Sequence, residues 1–123
     1  MEGVLEMKTS FGRVEQIAEG LGWAVTREGK TVGFWKHSPL GEDFGISLTV
    51  DELSLSEVAY EVGNYGFDPD EHAAMWIDNR HTVRGVPQSV LDLAEDALEI
   101  EKMIDQLNSE LDRAAFEEKR MVA

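Results

Sequence analysis

The chain has no cysteine, only three prolines, and eleven basic side chains against twenty-five acidic ones. Without cysteine, a disulfide framework, a thiolate metal centre and a thiol nucleophile are all excluded, and a reducing cytoplasm is the natural compartment. No apolar run approaches the roughly 18 residues that a bilayer span requires, and no basic-then-apolar leader opens the chain. The expectation is a soluble cytoplasmic protein with no membrane partner. Catalytic signatures are scarce as well. Gly20-Leu21-Gly22 lacks the third glycine and the following helix of a phosphate-cradling loop. No serine occupies a nucleophile elbow, and His37, His72 and His81 fall in separate local contexts. With twenty-five carboxylates in 123 residues, some must lie close in space, so paired acids are no sign of acid–base chemistry. The sequence therefore points to a non-enzymatic protein without a cofactor.

The shortage of basic residues is uneven. Residues 1–50 hold seven acidic and five basic side chains, whereas residues 51–123 hold eighteen acidic and six basic, so the second part carries most of the formal charge of −14. Asp51 to Asp78 includes eight carboxylates with no Lys or Arg, and Asp92 to Asp112 has eight more against Lys102 alone. Such a field repels nucleic acid and anionic membrane and attracts basic protein surfaces.

A chain of 123 residues suits one domain able to bury roughly two thirds of its unfolded surface. Residues 1–8 show no period and read as a disordered tail or an appended segment. Thr9 or Ser10 can cap a helix over about residues 10–21, with Phe11, Val14, Ile17, Ala18 and Leu21 at helical spacing and Gly20 and Gly22 to end it. Trp23 to Arg27 and Thr31 to His37 flank Glu28-Gly29-Lys30 as a hairpin, and Phe44, Ile46, Leu48 and Val50 alternate as a third strand. Ser54 and Glu57 form a capping box, Leu53 and Val58 a hydrophobic staple, and the helix they open should stop near Gly63-Asn64. Asp68, Pro69 and Glu71 start a third helix. Gly85, Pro87 and Ser89 open a fourth, whose Val90, Leu93, Ala97, Ile100, Ile104, Leu107, Leu111 and Ala114 keep an unbroken 3,4 spacing before fraying near residues 116–120. The fold class is α+β: an N-terminal helix, a three-stranded antiparallel sheet, then three helices, the last long and amphipathic.

The last helix is the first candidate for function. Asp92 to Asp112 covers about 30 Å of axis, which gives roughly one carboxylate every 4 Å, close to the 3.4 Å phosphate spacing along a DNA strand. In the heptad frame Asp92, Glu95, Asp96, Glu99, Asp105 and Asp112 point away from the apolar seam, and Glu101 and Glu110 flank it. A solvated face that confers solubility would explain the charge equally, but such faces normally mix signs to gain i,i+4 pairs. The seam either closes the core against the preceding helices or pairs with a second copy. Asp68, Asp70, Glu71 and His72 have the look of a hard-metal site, yet they lack the glycine turn and distal glutamate of a calcium loop, and capping accounts for three of them. No metal is expected there, and His72 is expected to pack beside Trp76. Arg27, Lys30, Lys36 and Trp35 could make a small nucleic-acid patch, and helix, three strands, helix is also the order of the double-stranded RNA-binding fold. The corresponding stretch Asp51 to Glu61 is purely acidic, so direct nucleic-acid binding is not expected.

Leu21-Gly22-Trp23, Ser38-Pro39-Leu40-Gly41-Glu42-Asp43-Phe44, Phe67-Asp68-Pro69-Asp70-Glu71-His72 with Trp76, and Gly85-Val86-Pro87 are similar to segments of small acidic proteins of phages and mobile elements. The order of elements resembles an anti-CRISPR type that blocks the DNA-binding surface of a Cas effector, and the acidity resembles antirestriction DNA mimics. The resemblance implies an inhibitor that occupies a basic, nucleic-acid-binding surface of a bacterial defence nuclease complex. On that view Asp92, Glu95, Asp96, Glu99, Glu101, Asp105, Asp68, Asp70 and Glu71 replace phosphates, and Tyr65 and Trp35 serve as aromatic anchors. Neutralising Asp92, Glu95, Asp96 and Glu99 together should then abolish inhibition and leave the fold intact. A monomer is favoured, and the alternative is a homodimeric assembly or regulatory module pairing through the C-terminal helix.

Overall fold

The computed structural model describes residues 2–39, 43–79 and 90–122, with side chains for residues 11–39, 43–74 and 94–120. Its elements run α1 (Glu2–Gly20), β1 (Ala24–Glu28), β2 (Thr31–His37), β3 (Asp43–Thr49), α2 (Leu55–Gly63), α3 (Pro69–Asn79) and α4 (Val90–Val122). This is the expected α+β order: a helix, a three-stranded antiparallel sheet and three helices. The glycine-proline opening expected for the last helix at Gly85, Pro87 and Ser89, and the residues His81 and Arg84, lie outside the described residues.

Local chemistry sets most boundaries. At the end of α1, Gly22 adopts φ +94°, the left-handed conformation that favours glycine. There Trp23 N–H donates to Ala18 O and Gly22 N–H to Glu19 O, the paired bonds of a Schellman motif, so Gly22 rather than Gly20 ends the helix. Ser54 caps α2 by accepting from the Glu57 backbone N–H at 3.2 Å. Asp68 caps α3 by accepting from Asp70 N–H at 3.0 Å and Glu71 N–H at 3.3 Å. Two ends depart from expectation. α1 begins at Glu2 rather than near Thr9, since no proline or turn cluster interrupts the stretch before Phe11. α4 does not fray at residues 116–120 but continues to Val122. Ala114 and Ala115 are still buried, and Lys119 and Arg120 in the final turn complement the helix dipole.

The sheet order is β1-β2-β3, with Val25 opposite Phe34 and Phe34 opposite Ile46. Alternation turns Val32, Phe34, Phe44, Ile46 and Leu48 into the core and leaves Thr31, Trp35, Asp43, Gly45, Ser47 and Thr49 exposed. Among the described residues the helices cover the inner face: Val14 and Ala18 of α1, Leu55, Val58 and Val62 of α2, and Ala97, Ile100, Ile104, Leu107, Leu111 and Ala114 of α4 join the strand residues and Trp23 in one buried cluster. Leu53 packs on that cluster from the α2 cap. Where α2 meets α4, Gly63 leaves room for Asn108, whose Oδ1 would lie 3.2 Å from a side-chain carbon at position 63. No helix among the described residues is long and apolar enough to cross a membrane.

The centre of the α4 seam should carry much of the stability. Leu107 and Leu111 are fully buried, whereas Leu98 on the same helix is 49% exposed. Leu107→Ala is expected to cost about 2–5 kcal/mol, and Leu98→Ala about 0.5 kcal/mol or less. Urea unfolding followed by circular dichroism checks both; equal losses would contradict this assignment of the seam.

Candidate functional site

Helical periodicity divides the α4 carboxylates into groups with different surroundings. With 3.6 residues per turn and Ile100, Leu107 and Leu111 facing inward, Glu101, Asp105 and Asp112 share one outer flank. Glu95, Glu99 and Glu110 share the other. On that second flank Lys102 Nζ lies 3.0 Å from Glu99 Oε1, and Arg113 pairs with Glu110. These i,i+3 pairs are exposed and worth little in stability, but they neutralise two of the eight charges. Glu101, Asp105 and Asp112 make no ion pair with any described residue. Leu98 and Phe116, 49% and 62% exposed, are about five turns apart on the same outer line and bracket this flank.

Asp96 requires a correction. Expected on the solvent face as a partner-binding residue, it is only 1% exposed. Ser38 Oγ, at the end of β2, donates to its Oδ2 at 2.8 Å. A carboxylate so placed cannot stand in for a phosphate; it fastens the sheet to α4, because a buried acid must be hydrogen-bonded to remain inside. The neutralisation set Asp92, Glu95, Asp96 and Glu99 therefore includes a structural residue, and the fold cannot be expected to ignore it. Asp92 lies on α4 outside the residues whose side chains are described. Beside Asp96, an open cleft of about 340 Å³ is lined by Pro39, Glu95, Leu98, Glu99, Glu101 and Lys102.

The seam itself closes the core within one chain. Every described apolar residue of it from Ala97 to Ala114 is buried, so any partner of α4 meets the outer flanks.

The start of α3 forms a second acidic place. Tyr65, Gly66, Phe67, Asp68, Glu71 and His72 line a cleft of about 380 Å³ with Phe44 of β3 at its inner end. Three rings meet there. Phe67 and His72 have centroids 5.2 Å apart, Phe44 and Phe67 5.5 Å, and Phe44 and His72 6.1 Å. His72 thus packs against Phe67 and Phe44; the side chain of Trp76, its expected neighbour, lies outside the described ones. Asp70 is exposed and faces no part of this cleft lining. Among the described residues no group of three His, Asp or Glu side chains could hold a metal ion.

Of the aromatic anchors, Tyr65 joins Asp68 and Glu71 at the cleft. Trp35 does not. It is 43% exposed on the outer sheet face, against His37 at 4.6 Å and across from Gly45, away from the helices. The basic residues near it are largely engaged: Lys36 Nζ donates to Leu21 O at 2.7 Å and lies over the Trp23 ring, and Arg27 lies over Phe11. The hairpin therefore offers Lys30 rather than a cationic patch.

The pairing of Glu99 and Glu110 was open to detection from their i,i+3 spacing to Lys102 and Arg113. The aromatic cleft was not, since Phe44 belongs to a strand far from Phe67 in sequence. Comparison with known protein families, curated proteins and solved structures returns no match.

Removing the Ser38 hydroxyl leaves the buried Asp96 carboxylate short of a donor. Ser38→Ala should cost about 1–3 kcal/mol, while Glu95→Gln, one residue from Asp96 but exposed, should stay within about 0.5 kcal/mol. Urea midpoints at unchanged m-value provide the comparison, and a neutral Ser38→Ala would show that the contact does not stabilise the fold.

Proposed function

We propose that the protein is a non-enzymatic binder of a basic protein surface, and that the surface it occupies is one used for nucleic acid, as in an inhibitor of a bacterial defence nuclease complex. The observation that carries this reading is the acidic flank of α4: Glu101, Asp105 and Asp112, which make no ion pair with any described residue because Lys102 and Arg113 turn to Glu99 and Glu110, bracketed by exposed Leu98 and Phe116. Carboxylates held on a rigid helix pay little conformational cost when they meet lysines and arginines. Their joint field, in a chain of net charge −14, speeds encounter with a cationic groove and disfavours acidic competitors. The two apolar side chains supply desolvated contact that charge alone does not. Action in the cytoplasm, of the host cell if the gene travels on a phage, belongs to the same proposal.

The mechanism is occupancy. While the acidic flank lies in the groove, backbone phosphates cannot, and no bond is made or broken. Glu95, Glu101, Asp105 and Asp112 replace the set that included Asp96, because Glu95, Asp105 and Asp112 are exposed, Glu101 is partly exposed and the buried Asp96 is spared.

The test is the variant Glu95→Gln/Glu101→Gln/Asp105→Asn/Asp112→Asn. Wild-type protein immobilised in nuclease-treated bacterial lysate should retain nucleic-acid-binding proteins at about 50 mM salt and release them by about 500 mM, where screening has shortened to a few ångströms. The variant should keep its melting temperature within about 2–4 °C and lose the retained proteins. Equal capture by the folded variant would overturn the proposal.

A further inference from the structure

We propose that the cleft at the start of α3 is a receptor for a single arginine side chain presented by a basic partner. The inference deepens the reading of the protein as a binder of basic surfaces and rests on it for its biological meaning.

The walls decide the ligand class. Phe44, almost fully buried, and Phe67 and His72, half-buried, form the aromatic interior. Tyr65 is 37% exposed, and Asp68 and Glu71 are exposed lining residues. Gly66 adopts φ +72°, which lets the chain turn between Tyr65 and Phe67 with no side chain of its own to fill the opening. A purely apolar ligand would leave the two carboxylates without a role, and an anion would meet their repulsion. A divalent ion would lack ligands, since the described residues offer no such group. An organic cation satisfies both parts of the lining.

Between the two cationic side chains the geometry favours guanidinium. It is planar, weakly hydrated and stacks on ring faces, and its fork of donors suits carboxylates, whereas an ammonium surrenders more hydration on entering an aromatic cleft. One oxygen of Asp68, Oδ1, is occupied by the Asp70 and Glu71 backbone N–H groups. Its second oxygen and the Glu71 carboxylate are the acceptors left for the fork. The N-terminal end of α3 carries roughly half a positive charge, and the carboxylates of Asp68, Asp70 and Glu71 outweigh it. A volume of about 380 Å³ is ample for one side chain and near the lower bound for small-molecule sites.

Three capped pentapeptides, Gly-Gly-X-Gly-Gly with X arginine, lysine or citrulline, test the assignment by 15N–1H correlation spectra of the full chain. The arginine peptide should shift the Gly66, Phe67 and Glu71 amides saturably, about threefold more tightly than the lysine peptide. The citrulline peptide, similar in shape but uncharged, should give no saturable shift. Asp68→Asn, which keeps a capping oxygen, and Glu71→Gln should each weaken the arginine peptide by about threefold, and Tyr65→Ala by a similar factor. Equal response to arginine and citrulline, or shifts centred on α4, would overturn the assignment. Equal response to arginine and lysine would overturn the guanidinium preference. The quadruple α4 variant separates this inference from the proposed function: loss of lysate capture with the arginine shifts retained supports both. Arginine shifts in a wild-type protein that captures no basic protein would sink the broader reading and keep the receptor.

Discussion

A three-stranded sheet can bury only one face, so the remaining half of this core must come from helices, and the apolar stripe of α4 is the largest contributor available. That requirement fixes the orientation of α4. With Ile100, Leu107 and Leu111 turned inward, the helical period leaves no choice about where the carboxylates go. Glu101, Asp105 and Asp112 fall on one flank, and Glu99 and Glu110 fall beside Lys102 and Arg113 on the other. Asp96 falls at the edge of the seam itself, where only the hydroxyl of Ser38 and its other contacts make burial tolerable. A single packing constraint thus sorts an apparently uniform acidic helix into a carboxylate that holds the fold, carboxylates paired with Lys102 or Arg113, and carboxylates that make no ion pair with any described residue.

That sorting changes the comparison with nucleic acid. Counted along the sequence, Asp92 to Asp112 approaches the charge density of a phosphate strand. Counted in three dimensions, the unpaired flank has three carboxylates over about 16 Å, where one DNA strand would place roughly five phosphates. The helix alone is too sparse to copy a backbone charge for charge. What it retains is a one-sided field that acts over roughly a Debye length of 8–10 Å at physiological salt, in keeping with steering toward a basic groove. A partner would read the sign of this surface more readily than its spacing.

The parts of the fold legible in the sequence are those written in short-range chemistry. Ser54 with Glu57, and Asp68 with Asp70 and Glu71, are side chain and backbone groups two or three residues apart, so the caps could be read before any tertiary contact was known. Gly22 ends α1 for the same reason. Alternation over Phe44 to Val50 fixed the inner face of β3, because a one-residue slip would have exposed every apolar side chain. Asp96 was legible only in part. It shares its heptad position with Glu110 at the edge of the seam, and the depth of its burial depends on tertiary contacts such as the one from Ser38, 58 residues earlier. The ring cluster was hidden likewise, since Phe44 of β3 meets Phe67 and His72 only in the folded chain.

Affinity and rate need different residues, and the structure keeps them apart. Exposed carboxylates gain modest energy from a partner's cations because water already solvates them well, so the outer flank of α4 contributes mainly to encounter and selectivity. Lasting contact requires groups whose desolvation is favourable, and the described surface offers them as Leu98, Phe116 and the aromatic cleft. The cleft of Phe44 and the cleft beside Pro39 both lie where β2 ends and β3 begins. The Ser38–Asp96 contact holds the α4 cleft against that end of the sheet. Loosening it would cost more than stability: the cleft beside Pro39 would no longer be held between α4 and the end of β2, and a partner that reached into it would have to supply the ordering that the buried hydrogen bond now provides in advance.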